Sequence, residues 1–291
     1  MARRFRSSRR MLPELVALGI AACVVAPSAH AVDKATKKAA TTKAAPAPAA
    51  EGPPELLIEP AAVDPVKRMV QALTDAKSLS YEYESSFDAL QADGEILEFG
   101  GRGAATLRRP DHMRGEVWER AGRHLRWAWN GKDVVVFDER ADAYATTPRT
   151  GDIDGLVDYL RDEIGLKLPL ADLVTTDLGP LLIDRTIAAR WVGKETLRGV
   201  ECDHVALRGR TGVDVQLWIA TGEHALPQRV VLNFSTADGR PQFRSDLHDW
   251  KYDPWVRDSS FDLSIPKSAR KVPFMKAARR NARAVAGEAT Q

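Results

Sequence analysis

Two cysteines among 291 residues leave almost nothing for covalent bracing. Cys23 falls in an N-terminal stretch read below as removable, so Cys202 stands alone in what remains. A lone thiol excludes an internal disulfide, and the fold must rest on its core. Metal chemistry is equally short of material. His112, His124, His204, His224 and His248 form neither His-x-x-x-His nor His-Glu-x-x-His, so a zinc site lacks sequence support. A Gly-x-Ser-x-Gly nucleophile elbow is missing. Gly100, Gly101 and Gly103 are followed by neither Lys-Ser/Thr nor a helix start, which argues against a phosphate cradle. Inside a strand they suit a sharp bend or the close approach of another element. Cys202-Asp203-His204 is the one suggestive cluster. On a strand Cys202 and His204 share a face but stand roughly 6 to 7 Å apart, beyond hydrogen-bond reach. The thiol reads as a small buried strand residue, and the expectation is a protein that is not an enzyme and carries no cofactor.

An excess of one charge is lacking as well. The formal balance is +2, but Arg3, Arg4, Arg6, Arg9 and Arg10 with Glu14 sit in the first 31 residues. That leaves 37 of 42 basic and 39 of 40 acidic residues downstream, a net of −2. Nothing there favours nucleic acid. The five arginines, an apolar run from Leu15 to Ala26 too short to span a bilayer, and Ala29-His30-Ala31 form an export signal. The expectation is a periplasmic protein cleaved after Ala31. Ile20-Ala21-Ala22-Cys23 also fits a lipobox, so a lipoprotein anchored through Cys23 stays open, as does an uncleaved anchor.

What is present is mostly alternation. Val213, Val215, Leu217 and Ile219 alternate with Asp214, Gln216, Trp218 and Ala220; past a turn bracketed by Gly222 and Pro227, Val230, Leu232 and Phe234 repeat the pattern. A period of two marks strands with one apolar face, here an antiparallel hairpin taken as the heart of a curved sheet. Upstream, Leu79 to Asp88, Leu97 to Leu107, His112 to Glu119, Arg123 to Trp129 and Asp133 to Asp138 read as strands, with Asp93-Gly94 and Asn130-Gly131 as turns. Downstream, Ala189 to Thr196, Glu201 to Arg208, Gln242 to Trp250 and Asp262 to Ile265 complete the set.

Helical spacing appears in two places. Asp64-Pro65 opens a helix carrying Val66, Met69, Val70 and Leu73, ending near Lys77-Ser78. Ile153, Leu156, Val157, Leu160 and Ile164 form the second, with Asp152 as N-cap and Gly165 as C′ residue. Leu168 to Leu173 begins a further helical segment ended by Gly179-Pro180. Helices inside a β sequence must cover the concave face of the sheet.

The predicted organisation is a signal peptide over 1–31, an Ala/Pro/Lys linker over 32–62, one domain over 63–274 and a basic tail over 275–291. That tail is either solvated or a peripheral contact to anionic head groups. Trp127 and Trp129 are core or an aromatic platform; Asp214 and Gln216 are a polar clamp or the solvent face of the sheet.

These segments resemble a family of predicted periplasmic proteins known as a domain of unknown function. The likeness rests on Asp64-Pro65, Arg109-Pro110-Asp111, Asn130-Gly131-Lys132, Leu168-Pro169-Leu170-Ala171-Asp172-Leu173, Gly199-Val200 with Cys202-Asp203-His204, Asp214 to Ile219, Leu226-Pro227 and the stretch from Trp250 to Pro273. That family is distantly similar to lipoprotein carriers of the LolA and LolB type. The resemblance implies an α+β fold: an unclosed, strongly curved antiparallel β-barrel of about ten or eleven strands with helices over the open side. It also implies a carrier for a lipid or acyl chain, or else an envelope protein-interaction module. The expected cavity lining is Phe99, Leu107, Trp127, Trp129, Leu156, Leu160, Leu217, Ile219 and Leu232.

The mass of the exported protein tests the leader. A mature chain starting at Val32 is expected; one starting at an acylated Cys23 would overturn cleavage after Ala31.

Overall fold

The computed structural model describes residues 57–164 and 170–274. The export leader, Cys23, most of the linker, Gly165, Leu168-Pro169 and the basic tail lie outside the described residues.

The alternating segments form one sheet. Its strands are β1 (Ser78–Leu90), β2 (Ile96–Arg108), β3 (His112–Glu119), β4 (His124–Asn130), β5 (Asp133–Asp138) and β6 (Ala143–Pro148). After the mid-chain helices come β7 (Thr186–Leu197), β8 (Val200–Gly209), β9 (Val213–Ala220), β10 (Pro227–Phe234), β11 (Gln242–Tyr252) and the two-residue β12 (Arg270–Lys271). The order across the sheet is β12-β6-β5-β4-β3-β2-β1-β11-β10-β9-β8-β7. Two meanders are therefore sewn together where β1 pairs antiparallel with β11. Among the twelve named strands, β12 and β6 pair in parallel and the other pairs are antiparallel. The sheet curls without closing, so the expected unclosed α+β architecture is the one found, with twelve strands.

Several local expectations need correction. The expected antiparallel β9–β10 hairpin exists, with Val230 opposite Leu217, but it lies to one side; β1 and β2 hold the middle of the sheet. Asp262–Ile265 is not a strand: a 3-10 turn, Asp258–Phe261, precedes it, and Phe261 is buried there instead. Strand β6, with its Ala143 and Ala145 in the core, escaped the sequence reading. Asp64-Pro65 does not start the first helix. Helix α1 runs Pro60–Asp75, with Pro60 at its first position. Pro60 meets the N-terminal preference one turn earlier, and Pro65 deletes only the one helical bond its missing N–H would make, to the carbonyl of exposed Ala61.

Just before α1, the chain runs beside β7. Ala189 N donates to Leu57 O and Glu59 N to Ala189 O, a short parallel bridge over part of that edge. The Glu59 carboxylate accepts from Trp191 N, extending the mimicry of a strand by one bond.

Helix α1 turns Ala62, Val66, Met69 and Leu73 inward, and all four are fully buried against the β7–β9 side. Helix α2 (Ile153–Asp158) has the predicted cap, Asp152 Oδ1 accepting from Gly155 N, and continues as a π-helical turn, Tyr159–Glu163. The third segment is a 3-10 turn, Ala171–Val174, and Gly179-Pro180 does not end it: Pro180 opens another turn, Pro180–Asp184.

One guanidinium ties these pieces together. Arg109 Nη2 donates to Leu73 O at 3.1 Å and to Val174 O at 2.9 Å, and its Nε donates to Ala76 O at 3.2 Å. It thus caps the C-terminus of α1, where carbonyls lack helical partners, and holds the 3-10 turn of the lid. Burial pulls its pKa below the ordinary arginine value, opposed by the nearby Asp154 charge. Arg109→Met is expected to destabilise the fold by about 2–4 kcal/mol, because three carbonyls lose a charged donor. Urea denaturation measures this; an unchanged midpoint would remove Arg109 from the frame.

Candidate functional site

The glycines of β2 explain the shape of the concave face. Gly103 pairs with Tyr83, and a Cβ on it would meet Tyr83 Oη at 2.4 Å. At Gly101 the clash would be with Trp118 O at 2.3 Å, so the neighbouring strand itself leaves no room. The sheet bends here, and Tyr83 lies down across the bend. Burial raises the Tyr83 phenol to about 12.

The bend divides the concave face into two unequal halves. Toward β4 and β5, bulk fills it. Trp129 is fully buried, its Nε1 donating to Arg149 O at 2.8 Å, and Leu156 and Val157 of α2 press onto the same core. In the middle, Tyr81 stacks on Trp250 with ring centroids 4.5 Å apart. Toward β8, β9 and β10 the side chains are aliphatic and shorter. There a cleft of about 220 Å³ remains open. Its floor includes Leu207, Leu217, Val230 and Leu232; its roof is Leu173, Leu178, Leu181 and Leu182 from the lid. Polar groups occur at the rim: Asp172, Arg185, Thr186 and Thr211. Desolvation raises the Asp172 carboxyl, while its ion pair with Arg161 pulls it down.

The nine expected lining residues divide accordingly. Leu217 and Leu232 line the cleft. Leu107, Trp129, Leu156 and Ile219 are buried in the packed core, and Trp127 and Leu160 pack half-buried against it. Phe99 lies far out on the β1–β2 hairpin, 45% exposed and stacked on Phe87. The sequence reading missed the leucines of the roof and the rim residue Arg185. Their signal was the apolar run Leu181-Leu182-Ile183 directly after Gly179-Pro180, where the helix was expected to stop.

The convex face holds the other candidate residues. Gln216 lies beside His204, and Asp214 Oδ1 accepts from Gly209 N, so neither forms a clamp in the cleft. His204 stacks on Trp218 with centroids 3.9 Å apart. Glu195 accepts from His204 Nδ1 and from Trp218 Nε1, both at 2.8 Å. A matching stack of His124 on Trp118 sits over β3 and β4. Neither His204 nitrogen addresses Cys202, whose thiol donates weakly to Val200 O instead. A third group, Glu82, His248 and Asp249, places one ligand atom of each within 4.8 Å of the others. These are the described residues best placed for a metal, but Glu82 and Asp249 are exposed, and His248 Nδ1 is already 2.7 Å from Asp249 Oδ2.

Residues 62–275 match the family model for "predicted periplasmic protein (DUF2092)". The chain belongs to that family. DUF2092 is a periplasmic description, in agreement with the export leader expected from the sequence. No curated protein matches. Solved structures similar to this DUF2092 chain include an uncharacterized conserved protein from Thermus thermophilus, at 13% identity over 73% of this chain and 98% of that one, TM-score 0.40. Another is the lipoprotein LppX of Mycobacterium tuberculosis, at 12% identity over 70% and 100%, TM-score 0.40. A LolA superfamily protein from Nitrosomonas europaea matches at 11% identity over 69% and 97%, TM-score 0.33. Similarities this distant say nothing of what the DUF2092 chain binds.

Burial pushes the Cys202 thiol up to about 11, so little thiolate exists at neutral pH. Iodoacetamide at pH 8 should leave Cys202 unmodified in the folded protein and alkylate it fully in urea. Rapid native labelling would reopen the nucleophile reading.

Proposed function

We propose that this protein is a periplasmic carrier or binding protein that holds an apolar ligand, a lipid or acyl chain, between its sheet and its helical lid. It does so without covalent chemistry. The supporting observation is the cleft itself: floor and roof are aliphatic and the space between them is left open, while Trp129, Leu156 and Val157 are buried in the core on the other half of the concave face.

The volume limits the claim usefully. About 220 Å³ is below the roughly 300–1,000 Å³ of pockets for drug-sized ligands. At about 30 Å³ per water-sized group it admits roughly seven such groups. Burying about seven CH₂ groups contributes on the order of 6 kcal/mol before association costs. That favours reversible capture of one chain end, with more of the ligand admitted only if the lid lifts.

A second reading, a protein-interaction module of the cell envelope, has its own support. Trp118 and Trp218 do not supply it, since both are covered by stacked histidines. The β7 edge does: Leu57, Ile58, Trp191 and Val192 are all exposed there, beside a strand only partly bridged.

Native mass spectrometry of protein purified without detergent, followed by titration with a fluorescent fatty acid, tests the first reading. Wild type should carry or take up a chain, and Val215→Trp, which fills the cleft, should not. A clean unliganded mass without uptake, or undiminished uptake by Val215→Trp, would sink it in favour of the edge.

A further inference from the structure

We propose that the cleft is selective for an amphiphile with a single alkyl chain ending in an oxyanion, and that Arg185 receives the head. The inference rests on the apolar-ligand reading above and adds the chemical class of the ligand.

Three observations carry it. The first is size: a space of about 220 Å³ holds roughly seven CH₂-sized groups, which is short even for one full acyl chain and leaves little for a second. The second is the polarity gradient. Leu207, Leu217 and Val230 on the floor are buried, whereas Arg185 and Thr211 at the rim are exposed, so a guest lies with its apolar part inward and its polar end at the rim. The third is donor availability. Among the described residues, two ionisable groups line the cleft, Asp172 and Arg185. The Asp172 carboxylate already accepts from Arg161 Nη2, and Asp158 lies 3.7 Å from Arg161 on its other side. The guanidinium of Arg185 acts on Asp172 only through its field and has no hydrogen-bonded acceptor among the described residues.

Net charge does not decide the matter, because Asp158, Asp172 and Asp184 stand near Arg161, Arg185 and Arg210. What decides it is geometry. The rim carboxylate is occupied, and the rim guanidinium offers a planar fork of donors that matches a carboxylate or a phosphate monoester. Arg185 is also held in place from behind: its carbonyl accepts from Arg210 N at 2.9 Å, so the backbone position does not depend on the side chain.

The test compares cis-parinaric acid with its methyl ester by fluorescence titration of the full chain. Wild type is expected to bind the acid about tenfold tighter than the ester. Arg185→Gln should erase that preference by weakening acid binding about tenfold, with an unchanged circular dichroism spectrum showing that the variant is folded. Arg185→Lys should keep part of the preference. Bound parinarate should be displaced by oleate or by lysophosphatidate, the stronger of the two naming the head group, and not by a two-chain phosphatidate. Equal binding of acid and ester by wild type, a preference that survives Arg185→Gln, or equal displacement by the two-chain lipid would each overturn the assignment while leaving the apolar-ligand reading intact. If neither probe binds wild type, that reading falls and this inference falls with it.

Discussion

The lid over this sheet hangs on a guanidinium that gives its hydrogen bonds to carbonyls, with the charge of Asp154 nearby. Arg109 gives its donors to three carbonyls, two at the end of α1 and one in the lid. A carboxylate in its place would leave those carbonyls orphaned, and an apolar side chain would leave helix end and lid unconnected. The arrangement also explains why a cation is tolerated at a partly buried position. The negative end of a helix dipole and three oriented carbonyls replace much of the water it gives up. Because helix and lid are fastened to the same atom group, a movement of either is felt by the other.

The open space follows from where the sequence puts its large rings. Trp127, Trp129, Tyr81 and Trp250 all project to the concave side over the β4, β1 and β11 strands. Over β8, β9 and β10 the same side carries valine and leucine. A curved sheet of uniform depth roofed by leucines closes over tryptophan and stays ajar over valine. The cleft thus needs no special device beyond a change in side-chain length along one surface, which is also why close packing elsewhere in the core is compatible with it.

Much of this is legible in the sequence, and the reasons are physical. Strands with a period of two announce themselves, and β3 and β5 read to the residue because Asn130-Gly131 and the flanking turns leave no slack. Asp152 stands out as a cap because a carboxylate before an apolar helical stripe has one obvious use. The leucines of the lid do not stand out, because single π and 3-10 turns have too few residues to show a period. Six of the nine expected lining residues are packed in the core or against it, since alternation reveals which face is apolar but not how far apart two apolar faces stand. Distance between layers is a property of the summed side chains on both sides. No single strand contains it.

The convex face bears on how the two functional readings divide the molecule. Its large aromatics are not free to dock: Trp218 and Trp118 each lie beneath a histidine, and Glu195 fixes the first pair by accepting from both rings. Stacking and charge-assisted hydrogen bonds spent within the chain are not available to a partner without first being broken. Among the described residues, apolar surface toward solvent lies at the β7 edge with Trp191 and Val192, at the β1–β2 hairpin with Ile96 and Phe99, and at Trp255 beyond the end of β11. The cleft opens between the β8–β10 floor and the lid, and Thr186 of the β7 edge lines it. A partner strand added along β7 would lie beside Thr186, which lines the rim of the cleft. Binding a protein at the edge and binding a chain in the cleft would then act on the same few residues, so the two readings need not compete for the molecule.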